Sequence, residues 1–360
     1  MLRPFRAKKI VQLFCVAPNQ AVHTGQNKMF KHQYIDRKTS QIKTETLIQD
    51  QTIQFLYTHV REHAPTIFNA LISSQMSSAL GFINYDFSLP MLSRNILSTA
   101  NAMGIDLEEC VDSPETINTL RKLFERKIRY WETRPMPSQK DMVVSPSDSR
   151  ILIGSFKDTS IFFIKEKFFN IEDLLEKRTW IDTFNKGDVA IFRLTPDKYH
   201  YNHSPVSGNV IDIYTIDGYY HSCNPGAVTA VETPYCKNKR VVTIIDTDVT
   251  DGTEIGKVAM VEVVALMIGQ IAQCYSDTQY NDPQDVQKGL FLQKGQPKSL
   301  YRPGSSTNVL IFEPDRITFN DDLVKNQKNV TASSRFSQKW EIPLVETDLL
   351  VRSQIASKTE

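Results

Sequence analysis

Three short stretches of this chain carry residues that could do chemistry, and none is decisive alone. In SLYRPGSSTNVLIF, residues 299–312, Gly304, Ser305 and Ser306 stand directly before an apolar run. Arg302-Pro303-Gly304 has the punctuation of a tight turn, where serine and threonine are ordinary residues. The alternative is that one serine hydroxyl attacks its own backbone. The stretch KYHYNHSPVSGNV holds His200 and His203 between Pro196 and Pro205. On a helix this spacing would put both rings on one face, but the prolines and the Tyr, Asn, Ser and Gly content argue against a helix. In extended structure residues three apart face opposite sides, so no shared metal ion is expected. Acid–base chemistry or ordinary hydrogen-bonded histidines remain. In VVSPSDSRILIGSF, Asp148 sits in a turn ahead of an apolar run and reads on its own as a turn-capping carboxylate.

Together an aspartate, a histidine and a serine are the parts of an activated nucleophile. A serine hydroxyl is weak at neutral pH and needs a base within hydrogen-bond reach, and the base needs an orienting group. A hydrolase would set its serine in Gly-x-Ser-x-Gly at a strand-to-helix elbow. Ser305 lacks that pattern and precedes a strand instead.

The elements that must position these residues change character near residue 140. Before it, TIQFLYTHVREHAPTIFNALISSQMSSALGF spaces apolar residues three and four apart. Ser113-Pro114-Glu115 has the signature of a helix start, and Ile117, Leu120, Leu123 and Ile128 then fall on one helical face. A proline-rich linker, ETRPMPSQKD, follows. From Val143 the runs RILIGSF, SIFFIK, VAIFRL, VIDIYTI, RVVTIID, VAMVEVVALMIGQIA and NVLIF are β-branched or aromatic and bounded by turn residues. A short helix at IEDLLEKRTWIDTF interrupts them. This order reads as α+β: a helical N-terminal region over 1–135, then a mostly antiparallel β-sandwich or barrel-like core over 140–360.

Composition narrows the function. Hydrophobic residues at 41% and charged residues at 23% of 360 are ordinary for a soluble globular protein with a substantial core. A formal net charge of +1 argues against a dedicated nucleic-acid binder. Cys15, Cys110, Cys223, Cys236 and Cys274 are odd in number and scattered, which indicates neither a disulfide framework nor a thiolate zinc site and fits a reducing compartment. The start, MLRPFRAKKIVQLFCVAPNQA, imitates a signal peptide only faintly, because Gln12 interrupts its apolar run. No run of about eighteen apolar residues exists to span a bilayer. The expectation is a cytoplasmic protein whose membrane contact, where it has one, is peripheral.

The ordered set of segments resembles the phosphatidylserine decarboxylase family, pyruvoyl enzymes that make their cofactor from their own chain. VSPSDSRI is similar to the family's Ser-Pro-x-Asp-Gly turn, FFIKEKFFNIEDLL to its lysine–tyrosine–leucine segment, and KYHYNHSPVSG to Tyr-His-x-x-His-x-Pro-x-x-Gly. NKRVVTI is similar to its Asn-x-Arg strand, IGKVAMVEVVALMIGQI to its long core strand, and QKGQPKSLYRPGSSTNVLIF to its Lys-Gly to Gly-Ser-Thr processing block. The resemblance covers roughly residues 115 to 315.

It implies that Asp148, His203 and Ser305 form a processing triad and that His200 is the other functional histidine. His203, held in one tautomer by Asp148, would take the Ser305 proton as Oγ attacks the Gly304 carbonyl; elimination from the resulting ester and hydrolysis would leave a ketone. The products are a β chain, 1–304, and an α chain, 305–360, whose first residue becomes the pyruvoyl cofactor. That ketone would hold the substrate amine as a Schiff base and take up the electrons released with carbon dioxide. His200 would return a proton to the α-carbon. The chain departs from the family at Pro303, Ser306, Pro297, Ser299, Ser149 and Val264, which points to a divergent substrate pocket. Phosphatidylserine, converted to phosphatidylethanolamine, is the expected substrate, and a free aromatic amino acid such as tryptophan the alternative. A third reading, a processed but idle protein, is disfavoured by retention of both histidines. Partners expected are the substrate, the two chains of one precursor, a peripheral membrane surface and a second copy of the chain in a homodimer.

Overall fold

An apolar run such as Val309-Leu310-Ile311-Phe312 has no polar face to show to water, so as a strand it must be covered on both sides. In the computed structural model of the chain it is. The structure describes residues 31–47, 50–76, 96–157, 168–231, 234–266, 270–304 and 306–360. Its strands begin with β1 (Gln33–Asp36), β2 (Gln41–Thr44), β3 (Met142–Val144), β4 (Ser149–Ser155), β5 (Asp188–Leu194) and β6 (Tyr201–His203). Next come β7 (Gly208–Ile216), β8 (Arg240–Asp246), β9 (Lys257–Val264), β10 (Ile271–Gln273) and β11 (Phe291–Leu292). The last are β12 (Pro297–Tyr301), β13 (Ser306–Phe312), β14 (Ile317–Phe319), β15 (Glu346–Leu349) and β16 (Gln354–Lys358).

Ten of these form one sheet in the order β11-β7-β8-β9-β13-β5-β4-β15-β1-β2, open at both ends. Two three-stranded sheets, β10-β12-β6 and β14-β16-β3, lie apart from it. The pleat of β13 divides the core by alternation. Val309 and Ile311 join one cluster with Leu174, Phe184, Val228 and Phe336 from helices Ile171–Leu175, Arg178–Phe184, Pro225–Ala230 and Arg335–Trp340. Leu310 and Phe312 join the other, with Val143 of β3, Ile317 of β14, Ile355 of β16 and Leu323 of helix Asp321–Gln327. The result is the expected α+β class, a layered sandwich rather than a closed barrel.

Helices Asp50–Phe55, Pro65–Leu71 and Ile96–Ala102 supply the helical character of the N-terminal region, but β1 and β2 precede them, and β1 pairs in parallel with β15. Four-residue strands leave too short an alternation to read from sequence. The helix expected from Ser113 is confined to Leu120–Phe124 and Tyr130–Thr133. Thr119 caps the first of these by accepting from Lys122 N, and Ile128 is drawn out of helix by a bridge to Cys110. IEDLLEKRTWIDTF is two helices, Ile171–Leu175 and Arg178–Phe184, because Glu176 ends the first in the left-handed region at φ +56°. VAMVEVVALMIGQIA is divided between β9 and β10. SIFFIK lies outside the described residues.

Strand β13 is hydrogen-bonded over seven residue pairs to β5 on one side and β9 on the other. β15 lies between β4 and β1, and β16 between β14 and β3. Of the strands after residue 305, β13 and β15 therefore lie between strands that precede it, and β16 is paired to β3. A chain cut between residues 304 and 305 is expected to elute as one particle on native size exclusion and to separate only in denaturant. Separation in native buffer would contradict this topology.

Candidate active site

The turn carrying Asp148 is fixed from both sides by backbone bonds. His203 N donates to Pro146 O at 2.7 Å, Ser145 N to Ser353 O at 2.8 Å, and Arg352 N to Ser145 O at 2.9 Å. Asp148 is 4% exposed. Its carboxylate accepts from Arg134 Nε at 3.1 Å and Nη2 at 3.0 Å, and from the Val351 amide at 2.8 Å. Arg134 reaches on to Glu109 at 3.0 and 2.8 Å. Burial by itself would raise the Asp148 pKa, but the Arg134 charge and these hydrogen bonds outweigh it and hold the carboxyl below its ordinary value.

His203, on β6 opposite Pro297 of β12, is fully buried. Nδ1 donates to Gly295 O at 2.8 Å, which leaves Nε2 to accept from the Tyr199 hydroxyl at 3.0 Å. Tyr130 packs edge-on with ring centroids 4.7 Å apart. Burial lowers the ring's pKa to about 3, against a smaller opposing effect of the Gly295 bond. The group that orients His203 is thus the Gly295 carbonyl and not Asp148, whose hydrogen bonds go to Arg134 and Val351. Gly295 can present that carbonyl because it sits at φ +77°, and a Cβ there would lie 2.3 Å from Met136 Sδ. Lys294 anchors the same turn by donating to the carbonyls of Gln139, Lys140 and Met142.

His200 lies beside the processing block, its carbonyl accepting from Tyr301 N at 3.1 Å. The ring stacks on Phe124 with centroids 3.6 Å apart and is fully buried. Burial, and then the Arg126 guanidinium, keep it well below the ordinary imidazole pKa. A contact with the Lys198 backbone favours the charged ring, but less than burial and Arg126 oppose it.

Gly304 has φ +148°, a backbone setting that side-chain-bearing residues rarely adopt. Ser305 lies outside the described residues. Ser306 is buried with its Oγ unpartnered. The Tyr301 hydroxyl, on the other side of the Arg302–Gly304 turn, shares its proton between Thr307 O at 2.9 Å and Asn308 Oδ1 at 2.7 Å. Asn308 Nδ2 in turn donates to Asn202 Oδ1 at 2.9 Å and Ser147 Oγ at 3.2 Å. One asparagine therefore links all three stretches that the sequence singled out.

A cavity of about 350 Å³ lies at the same end of the sheet. Its lining includes Leu194, the register partner of Ser306, and Cys223, whose Sγ is 3.1 Å from Thr307 Oγ1. Thr195, Arg150, Arg193 and Glu45 form its polar wall. Sequence reasoning missed Arg134, Tyr199, Tyr280 and Asn308. Arg134 stood in what read as a linker, while Tyr199, next to His200, was a phenol in plain view.

The family model for phosphatidylserine decarboxylase matches residues 120–338, more than half of the chain. The chain belongs to the phosphatidylserine decarboxylase family. The phosphatidylserine decarboxylase proenzyme of Fusobacterium nucleatum is 28% identical over 83% of this chain and 93% of its own length. That of Chlamydia muridarum is 29% identical over 81% and 90%. Phosphatidylserine decarboxylase proenzyme 3 of Schizosaccharomyces pombe is 27% identical over 93% of this chain but 35% of its own length. In this family member the three stretches are tied together through Asn308 of β13.

Asp148→Asn should test the Arg134 anchor. Its carboxyl has a lowered pKa when folded, so its stabilisation is present above the unfolded value and is lost as pH falls through the folded one. The variant is expected to be about 3 kcal/mol less stable in urea at neutral pH. The gap should close only in acid below the ordinary carboxylate range.

Proposed function

We propose that this chain is a proenzyme that cuts itself between Gly304 and Ser305 and then decarboxylates phosphatidylserine to phosphatidylethanolamine with a pyruvoyl group left on residue 305. The observation that carries this reading is the Asn308 side chain of β13, which bonds Asn202 and Ser147 and so ties the histidine stretch and the Asp148 turn to the strand that follows Gly304 in a member of this family. The residues fit the group: the Ser306 hydroxyl, buried and without a partner among the described residues, lies two residues from Gly304, where a ketone and a bound substrate would need polar partners. Once formed, the pyruvoyl ketone supplies an electron sink for the pair left behind by carbon dioxide.

The chain's own residues have separable tasks in this reading. Gly304, at positive φ, allows the bend that exposes its carbonyl carbon to the Ser305 hydroxyl. His203 is neutral at physiological pH, with its accepting nitrogen turned to the Tyr199 hydroxyl, so it takes the Ser305 proton by way of that phenol. The Tyr301 hydroxyl keeps Thr307 and Asn308 in place while the bond before them is exchanged. His200 handles the proton at the substrate α-carbon, in a pocket that Phe124 closes to water. The 350 Å³ cavity suits a polar head group and is too small for two acyl chains, which would stay outside. None of the relatives named above carries the name of an amino-acid decarboxylase.

On denaturing gels the mature protein is expected to run as two chains, 1–304 and 305–360, the smaller with a ketone in place of its amino terminus. Ser305→Ala should remain a single chain. Carbon dioxide should be released from phosphatidylserine vesicles and not from free tryptophan. A single intact chain with full activity would refute the self-processing scheme, and turnover of tryptophan alone would replace the substrate.

A further inference from the structure

A fully buried imidazole can act as a base only if its charged form also finds a hydrogen-bond acceptor. His203 meets that requirement through two phenols. Tyr199 Oη stands 3.0 Å from His203 Nε2 and 2.7 Å from Tyr280 Oη. Tyr280 Oη lies 3.1 Å from Ile128 N and 2.9 Å from Ile128 O. We propose that Tyr199 and Tyr280 are positioning residues forming a reversible hydrogen-bond relay, which lets His203 take up and hold a proton without displacement of any heavy atom.

While the ring is neutral, Ile128 N–H donates to Tyr280, Tyr280 donates to Tyr199, and Tyr199 donates to Nε2. Once Nε2 carries a proton the direction reverses. Nε2–H donates to Tyr199 Oη, the Tyr199 hydroxyl turns to Tyr280 Oη, and the Tyr280 hydroxyl turns to Ile128 O. In the second state Tyr280 accepts from both Ile128 N and Tyr199, which its two lone pairs permit. Tyr199 passes its hydroxyl proton to Nε2 and takes up the incoming proton in its place, so one O–H bond breaks as another forms, while the Tyr280 hydroxyl only rotates. Burial pushes both phenol pKa values up, so neither tyrosine ionises in place of the ring. The Nδ1–H bond to Gly295 O is the same in both states. Other groups facing the ring are Asp148, which favours its charge, Arg134 and Arg352, which oppose it, and the edge-on Tyr130 ring. Lys127 Nζ lies over the outer, Tyr280 end at 5.3 Å.

The relay's purpose rests on the reading of His203 as the processing base, but its test does not. In Ser305→Ala protein, which cannot process, the His203 ring nitrogens are followed by NMR as pH is lowered, with and without Tyr280→Phe. Removing Tyr280 Oη strands the Tyr199 hydroxyl only in the charged state. His203 should therefore take its proton about one pH unit lower in Tyr280→Phe. With Ser305 present, Tyr280→Phe should slow self-cleavage roughly tenfold at similar thermal stability. Tyr199→Phe, which removes the acceptor for Nε2–H itself, should depress protonation further and serves if Tyr280→Phe folds poorly. An unchanged His203 midpoint, or a ring that never protonates in the folded Ser305→Ala chain, overturns the relay whatever happens at Ser305. A shifted midpoint in a chain that fails to cut itself upholds the relay and removes the processing role.

Discussion

Strand β13 has neither a free edge nor a free face, and the rest of the structure depends on that constraint. Its backbone is committed to β5 and β9 over seven pairs on each side. Val309, Leu310, Ile311 and Phe312 are all fully buried, each worth about 1.5–3 kcal/mol against exposure. A strand so held cannot slide by one residue, since a slip would exchange the contents of two different cores. The position of the step before Ser306 is thereby set by the sheet rather than by the turn. Gly304, at φ +148°, is the point where the turn from β12 meets that fixed strand. Proline and glycine in the approach and a buried strand after it divide the labour between bending and holding.

Charge is buried on several sides of this strand. Arg134 joins Asp148 and Glu109, and Lys298 Nζ meets Glu262 at 2.7 Å and Gln273 at 2.9 Å with neither charged side chain of the pair exposed. Glu262 also accepts from Ser299 and from Asn202, one of the two residues between the histidines. Such pairs recover little more than their desolvation cost, so their contribution is geometric: each admits few alternative arrangements of its neighbours. His32, Glu45 and Glu346 converge closely enough to resemble a metal ligand set. Arg193 donates to both carboxylates and Arg150 pairs with Glu45, so two guanidiniums balance the two acids, which accounts for the cluster as a salt-bridge network.

Much of this could be read from the chain. Runs such as VAIFRL and RVVTIID became β5 and β8 because β-branched residues between turn formers have few other uses. The stretches around Asp148, His200, His203 and Gly304 do meet. What failed depended on groups far apart in sequence. Nothing about Arg134 in a proline-rich stretch says that it will cover Asp148, and nothing about Ser-Pro-Ser-Asp says that Val351 will donate to it. Gly295 was noticed as part of a Lys-Gly pair, yet its role comes from a φ of +77° and a carbonyl aimed at His203. The helix expected from Ser113 was overruled by a cap at Thr119 and by the Cys110–Ile128 bridge, where tertiary contact outweighed a local apolar period.

The two histidines show why spacing alone could not assign their roles. Both are fully buried and both are held neutral by loss of solvent, so charge does not distinguish them. Hydrogen bonding does. His203 has a fixed tautomer, a carbonyl behind one nitrogen and a phenol before the other, the setting of a ring whose proton traffic is regulated. His200 is stacked on Phe124 and touches the Lys198 backbone, so an aromatic face rather than a carbonyl and a phenol holds its ring. The extended backbone of β6 explains how residues three apart come to occupy such different surroundings: successive side chains leave on opposite sides, so one ring goes to the Lys294-Gly295 turn and the other to the approach of Gly304. A helix would have placed both rings in one environment and removed the difference on which a division of acid–base work depends.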